Sequence, residues 1–224
     1  EELTMKNHAW SFSALKTFET CPRKYHAEKV LKLYPFEETE QSRYGTEVHL
    51  AAEEYMRDDK PLPRGMEQFE KPLAALKKLP GKKNVEQKLA LTVDRQPTEF
   101  LSKTVWVRGI IDLCIINGTE ARVVDYKTGS AKYPDKKQLE LMALLIFDHY
   151  PEIEVVKGAL VFLVKNVVIK ARYSRTEADS LWEKWNQRTR VLDTAFENDN
   201  WPPTPNGLCR QYCPVVDCEF NGRN

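Results

Sequence analysis

The sequence contains no long apolar run, and none of its hydrophobic stretches approaches the roughly 20 residues that a membrane helix requires. It also lacks the basic-then-apolar start of a secretory signal peptide, so we expect a cytoplasmic or nucleoid-associated protein that neither binds a membrane nor is secreted. The sequence also lacks a large excess of either charge, since 34 Lys and Arg balance 33 Asp and Glu. A net charge of +1 does not indicate a strongly basic nucleic-acid-binding domain, so any DNA-binding charge must be local.

Periodicity divides the chain into a helical first part and a strand-rich second part. Helical spacing predicts short helices within 9–34 and longer ones over 43–58 and 67–78. Five strand patterns follow, interrupted by a helix over 135–149, and a long helix starts near residue 176. This order predicts a single α/β domain over 9–224, made of a helical elaboration (9–82), a core sheet (83–174), a helix (175–200) and a cysteine segment that packs on the N-terminal helices (201–224).

Two aspartates interrupt strand patterns that are otherwise apolar. Asp112 lies among isoleucines and leucine in the run 104–116, and Asp125 follows two valines. A carboxylate in such a position is unfavourable unless it is paired or bound to metal. The two runs meet at Asn117-Gly118, a strong hairpin signal. A two-residue loop makes the aspartates diagonal neighbours, whereas a four-residue loop sets them directly opposite. Both registers place them on one face of the sheet.

Lys127 shares that face because it lies two residues beyond Asp125. Two carboxylates suit a hard cation such as Mg²⁺ or Mn²⁺, which polarises a phosphate and lowers the pKa of a bound water. The lysine would orient or deprotonate that water, or stabilise charge developing on the phosphate. An Asp–Lys ion pair on a solvated face is the alternative that this tripeptide alone leaves open.

Further residues extend this pair into an ordered series. Asp112 is followed by the segment Asp125-Tyr126-Lys127-Thr128-Gly129 and by Gln138, and the segment Tyr44-Gly45-Thr46-Glu47-Val48-His49 lies upstream. The series resembles the active site of RecB-like PD-(D/E)XK nucleases, over nearly the whole chain. The resemblance implies a restriction-endonuclease-like central mixed sheet flanked by helices. It also implies a role in catalysis for Gln138, Lys127 as the catalytic lysine, and a metal held by His49, Asp112, Asp125 and the backbone carbonyl of Tyr126.

Some residues of this series have a second interpretation. His49 could instead be a packed or surface histidine on an amphipathic helix. Gln138 could be the capping-box partner of Asp135 at the start of its helix. Met142 departs from the family, which often has tyrosine at that position, and this puts in doubt a DNA contact assigned to the tyrosine. Glu86 is interpreted as a solvated strand residue, although it could assist the site.

Four of the five cysteines form a split pattern, with Cys21 near the start and the trio Cys209-x3-Cys213-x4-Cys218 near the end. Four thiolates suit a [4Fe–4S] cluster or Zn²⁺, and the cluster is favoured because local zinc sites usually carry a Cys-x2-Cys knuckle. With Pro22-Arg23-Lys24-Tyr25, the pattern resembles the split iron–sulfur motif of AddB-type nucleases and of CRISPR spacer-acquisition nucleases. The fifth cysteine, Cys114, is expected in the core.

Basic and aromatic residues alternate in three short segments, Arg23-Lys24-Tyr25, Arg43-Tyr44 and Lys132-Tyr133, as they do in channels for single-stranded nucleic acid. We therefore predict DNA contacts by Arg23, Arg43 and Tyr44. No helix–turn–helix or zinc-finger motif is apparent, which favours processing of DNA ends over sequence-specific cleavage.

The predicted function is that of a metal-dependent DNA nuclease, acting as an exonuclease on single-stranded ends. A structure-selective flap or junction endonuclease, a catalytically silent DNA-binding subunit and a zinc-stabilised adaptor are the alternatives. A helicase, or recombination and replication proteins, would be separate partners.

Overall fold

The computed structural model describes residues 8–223, so the last residue of the predicted domain lies outside it. The helices are α1 (Phe12–Thr20), α2 (Pro22–Tyr25), α3 (Glu40–Asp58), α4 (Glu70–Lys77), α5 (Lys137–His149) and α6 (Ala178–Glu197). The strands are β1 (Lys82–Leu91), β2 (Val107–Asn117), β3 (Glu120–Lys127), β4 (Val155–Phe162) and β5 (Val167–Ser174). None of the described helices combines the length and the apolar character that crossing a bilayer requires.

The chain divides into two compact units. The first, called here the core unit, comprises the described residues up to Ala9 and residues 38–182. The second, the cysteine unit, comprises residues 10–37 and the described residues from Glu183 onward. The core unit holds the whole sheet, and the cysteine unit holds the four cysteines of the split pattern.

The core unit is built on a five-stranded sheet in the order β1-β2-β3-β4-β5. Neighbouring strands are antiparallel in three pairs, β1–β2, β2–β3 and β4–β5, whereas β3 and β4 run parallel. A parallel pair needs a crossover connection, which α5 provides. This arrangement confirms the predicted α/β fold with a mixed sheet flanked by helices.

Helix α5 packs on one face of the sheet through eight buried residues: Leu139, Leu141, Met142, Ala143, Leu144, Leu145, Ile146 and Phe147. Gly158 of β4 lets the helix approach closely, because an added Cβ there would lie only 3.1 Å from Cβ of Leu139. This close packing fixes the first turn of α5 against the strands that carry the two aspartates.

Helices α3 and α4 pack on the opposite face. The buried face of α3 presents Val48, Ala51, Ala52 and Met56 at helical spacing, and they join Leu73 of α4 and the inward residues of β2 and β3 in one core cluster. A capping box between Thr39 and Ser42 fixes the start of α3. The helix therefore begins three residues before the predicted position and holds His49 near its middle.

The β2–β3 hairpin has the register that sets the aspartates opposite each other. Asn117 pairs with Glu120 across a turn at Gly118-Thr119, and the last paired residues are Leu113 and Val124. Gly118 has φ of +60°, which glycine adopts readily. Continuing the register by one step places Asp112 opposite Asp125. The turn lies one residue beyond the predicted Asn117-Gly118.

The cysteine unit contains α1, α2, a π-helical turn at His26–Val30 and the larger part of α6. Stacked aromatic rings stabilise it, among them Trp10 on Trp185 with centroids 5.6 Å apart. Trp201 stacks on His26 at 4.6 Å. Residues 201–223 form no helix or strand and are organised by turns.

Candidate active site and cysteine cluster

Asp112 lies almost fully buried where β2 and β3 separate. Its Oδ2 accepts a hydrogen bond of 2.7 Å from the backbone N–H of Tyr126. The imidazole Nδ1 of His49, on α3, lies 3.4 Å from the same oxygen. The backbone of Tyr126 also lies near the His49 ring, where it acts to raise the pKa of the imidazole. The structure thus brings together three of the residues that the sequence assigned to the metal.

Asp125, Lys127 and Gln138 form a second, connected group. Lys127 Nζ lies 2.6 Å from Oδ2 of Asp125 and donates a hydrogen bond of 2.8 Å to Oε1 of Gln138. The amide of Gln138 donates in turn to Oδ1 of Asp125. The capping-box interpretation of Gln138 is wrong: Asp135 accepts a hydrogen bond from the Lys137 N–H at 3.1 Å, but Lys136 is the N-cap of α5 and the Gln138 side chain bonds to Lys127 and Asp125 instead.

Glu86 completes the cluster, although the sequence pattern assigned it to a solvated strand. The β1–β2 register sets it opposite Asp112, between the paired residues Val85–Leu113 and Gln87–Ile111. Its φ of +50° is left-handed, a strained conformation for a non-glycine residue within a strand. The alternation of β1 carries no sign of this local conformation. The one available signal was an acidic residue in the strand next to Asp112.

Burial dominates the electrostatics of the cluster. Loss of solvent, and then the nearby charge of Asp125, raise the pKa of Asp112 to about 8 despite the hydrogen bond from Tyr126. Burial also raises the pKa of Asp125, against the opposing effect of Lys127. It lowers the pKa of His49, which favours the neutral imidazole that binds metals. Two buried carboxylates so close together favour either a proton or a cation between them.

The donor set fits a divalent cation. One ligand atom each from His49, Glu86 and Asp112 lie within 4.8 Å of one another. Mg²⁺ binds oxygen at about 2.1 Å, so opposite ligands stand about 4.2 Å apart. Adjacent ligands of an octahedral ion stand about 3.0 Å apart, so the side chains would close by about 1–2 Å around a bound ion. Such a site has the components for hydrolysis of a phosphodiester: hard-ion ligands, a half-buried lysine and a partly exposed histidine.

The predicted DNA-contacting residues lie in both units. Arg43 and Tyr44 are exposed in the second turn of α3, the helix that carries His49. Arg43 pairs with Glu38 at 3.5 Å. In the cysteine unit, Arg23 pairs with Glu219 at 3.0 Å and donates to the backbone carbonyl of Asp217. Arg23 therefore has a structural partner within its own unit.

The four cysteines of the split pattern line one small pocket in the cysteine unit: Cys21, Cys209, Cys213 and Cys218. Backbone N–H groups of Thr204 and Asn206 donate to the sulfurs of Cys21 and Cys209, each at 3.4 Å. All five cysteines of the chain are free of disulfides. The distant parts of the sequence thus converge on a set of four thiols, which suits a metal centre.

Asn221 holds the cysteine-bearing turns in place. It is buried, and its amide donates to the backbone carbonyls of Cys213 and Val215 at 3.1 and 2.8 Å. Gly222 packs against the backbone of Arg210, where an added Cβ would lie 2.8 Å from Cα. By contrast, Cys114 is fully buried in β2 of the core unit, where burial raises the pKa of its thiol to about 12. It is a core residue, as expected.

Residues 9–218 match the family model of the PD-(D/E)XK nuclease superfamily, and the chain therefore belongs to this superfamily of nucleases. A comparison with curated proteins gave no match. Among solved structures, a proposed exonuclease from Eubacterium rectale is 12% identical with a TM-score of 0.51, covering 93% of this chain and 88% of its own. The protein SSO0001 is 13% identical with a TM-score of 0.49, covering 99% and 90%. At 12% identity, the likeness to the Eubacterium rectale protein shows a shared fold alone.

The raised pKa of Asp112 predicts an unusual pH dependence of stability. The folded, metal-free protein binds this proton more tightly than the unfolded chain, so the free energy of unfolding falls as pH rises from about 4 to about 8. Asp112→Asn removes the ionisation and keeps an acceptor for the Tyr126 N–H. In chelator, we expect this variant to be more stable than the native protein above pH ~8, with the difference vanishing near pH ~4.

Thermal unfolding across this pH range measures the effect. Asp94→Asn, which alters an exposed carboxylate, is the matched control and should leave the profile unchanged. Parallel profiles for the native protein and Asp112→Asn would show that Asp112 is ionised in the folded state throughout the range.

Proposed function

We propose that this chain is a metal-dependent deoxyribonuclease that hydrolyses phosphodiester bonds, acting as an exonuclease on single-stranded DNA ends. The observation that carries the proposal is the buried pair Asp112 and Asp125, with Lys127 and His49 beside it. Membership of the nuclease superfamily supports the chemistry. Retaining two buried carboxylates beside a lysine favours catalysis over a purely binding role, because such a pair destabilises the fold unless it holds a cation.

Mg²⁺ or Mn²⁺ would be held by the side chains of His49, Asp112 and Asp125 and by the backbone carbonyl of Tyr126. Glu86 joins this set, since its carboxylate lies within 4.8 Å of the ligand atoms of His49 and Asp112. When bound, the ion would polarise the phosphate and supply a water of lowered pKa.

Lys127 is positioned to serve the reacting groups. Asp125 and Gln138 hold its ammonium group at 2.6 and 2.8 Å. The side chain is therefore already ordered beside the carboxylates, and little conformational entropy is lost when it acts. From there the ammonium group can orient the attacking water and offset charge on the phosphate. Gln138 has a positioning role, because it contacts both Lys127 and Asp125.

Exposed aromatic and basic residues that lie close along the chain to the site residues support a single-stranded substrate. Tyr44 lies on α3 five residues before His49. Tyr133 follows β3, is 83% exposed and has Lys132 Nζ 5.2 Å from its ring centroid. Aromatic rings beside cations suit stacked bases and a flanking phosphate backbone. Duplex DNA would then need a separate helicase or other replication or recombination partners to supply the ends.

In the cysteine unit, we propose a [4Fe–4S] cluster on Cys21, Cys209, Cys213 and Cys218, with Zn²⁺ as the alternative. The N–H donors to two of the sulfurs support thiolate ligands, because such bonds stabilise negative charge on sulfur. Its role would be structural, since the ligands join the first helices of the unit to its last turns.

Cleavage of end-labelled single-stranded DNA with Mn²⁺ tests the nuclease proposal. Lys127→Ala should lower the rate of cleavage by about 10²-fold or more, because it removes the ammonium group that acts on the reacting phosphate. Lys137→Ala, an exposed lysine at the start of α5, is the matched control and should retain the native rate.

Circular single-stranded DNA in the same assay separates the two modes of cleavage. The circle should contain a hairpin. An exonuclease leaves this circle intact because it has no ends, whereas a structure-selective endonuclease cuts it at the hairpin. Equal inactivity of the native protein and of Lys127→Ala on all substrates would contradict a catalytic role.

Anaerobic purification followed by metal and sulfide analysis tests the cluster. We expect a brown protein with about four iron atoms and four sulfides per chain. Cys213→Ala should lose both, while Cys114→Ala, which alters a core thiol, should keep them. A colourless protein with one zinc would establish the alternative, and a metal-free protein of native stability would contradict any centre.

A further inference from the structure

The two faces of the sheet are covered to different extents. Helix α5 contacts all five strands on one face. On the other face, α4 borders an open groove above β3, β4 and β5 with a volume of about 730 Å³. In α/β domains the sheet normally has helices on both faces. The groove therefore marks the part of this sheet face that α3 and α4 do not cover.

The floor of the groove is aliphatic. Val124, Ala159 and Val161 face it from β3 and β4, and Val168 adds a side chain that is 48% exposed. Leu76 and Leu79 form the wall at α4 and continue the buried core cluster outward. No aromatic ring lines this groove in the described part of the chain. An aliphatic floor without rings is unlike a surface on which bases stack.

Four cations stand on and around this floor: Arg122, Lys157, Lys170 and Arg172. Three of them form a row across the strands, because Arg122 pairs in register with Lys157 and Lys157 with Arg172. Glu120 offsets part of the charge, since it pairs with Lys157 at 2.6 Å and lies 4.0 Å from Arg122. Lys170 and Arg172 are exposed, and the groove keeps a net positive charge.

We propose that this groove docks an acidic amphipathic helix of a partner protein. Aliphatic residues of the helix would cover the floor, and its Asp and Glu residues would meet the row of cations. Eight residues of β4 extend over about 26 Å, which a helix of about 17 residues matches. The docked helix would complete the layer that α3 and α4 begin. None of the lining residues belongs to the metal-binding cluster, so this inference is independent of the proposed nuclease activity.

The test uses a fluorescent synthetic helix of about 17 residues, with leucine at i, i+3, i+4 and i+7 and glutamate flanking the leucine face. Fluorescence anisotropy with the full chain should show saturable binding. A peptide with lysine in place of each glutamate should bind about tenfold more weakly or worse. Absence of saturable binding up to about 1 mM peptide would overturn the proposal.

Variants locate the binding. The double change Lys170→Glu and Arg172→Glu should weaken binding of the acidic peptide by about tenfold, since it reverses two exposed charges of the row. Val168→Glu, on the floor, should weaken it comparably. Lys165→Glu, in the turn of the same hairpin but outside the groove, is the control and should bind as the native protein does. Equal binding by all four proteins would overturn the proposal.

Two other possible occupants of the groove, nucleic acid and a second copy of the chain, would give different results. Displacement of the peptide by a single-stranded oligonucleotide, together with slower DNA cleavage in the charge-reversed variant, would assign the groove to nucleic acid and overturn the proposal. Concentration-dependent dimerisation that Val168→Glu abolishes would assign the groove to a second copy of the chain and would likewise overturn the proposal. Unchanged DNA cleavage and a monomeric protein, alongside the lost peptide binding, are the expected result.

Discussion

The close burial of two carboxylates, Asp112 and Asp125, is the constraint on which the rest of the core unit depends. Adjacent like charges in a buried site are strongly unfavourable without compensation. Each neighbouring element supplies part of that compensation. The N–H of Tyr126 bonds to Asp112, Lys127 and Gln138 engage Asp125, and His49 approaches from α3. The compensation is incomplete, as the raised pKa of Asp112 shows, and a divalent cation is what would complete it.

The fold positions these groups by ordinary packing. Helix α5 approaches the sheet closely at Gly158, which sets Gln138 over β3. The capping box at Thr39 fixes the start of α3 and therefore the height of His49. The separation of β2 and β3 beyond Leu113 and Val124 opens the space that the carboxylates occupy. None of these features is itself catalytic, yet each decides where a functional side chain lies.

Much of this could be predicted from the sequence because it depends on periodicity. The common face of Asp112 and Asp125 follows from the alternation of side chains in strands, whichever loop length is chosen. His49 came from a resemblance between motifs and not from its helix pattern. Glu86 was interpreted as a solvated strand residue, with a role at the site only as the alternative, because its left-handed backbone is a local departure that alternation does not reveal. The metal-binding roles themselves stay predictions.

Other features arise only from the packing of distant segments. The sequence predicted that Cys21 would join the C-terminal trio, and these four thiols do share a pocket, but their metal stays a prediction. The open groove beside α4 could not be predicted, because exposure of Val168 and Ala159 depends on where a neighbouring helix ends. Strand patterns state which residues share a face and leave open what covers it.

Titration calorimetry of Mn²⁺ into chelator-treated protein tests the central claim most directly, when repeated at one pH near 7 in buffers of different protonation enthalpy. If the buried carboxylates hold the cation, binding releases about one proton, because Asp112 carries one before the ion arrives. Glu86→Gln should weaken this binding and Asp112→Asn should abolish it. Binding that releases no proton and survives Asp112→Asn would show that the ion lies elsewhere and would contradict the account.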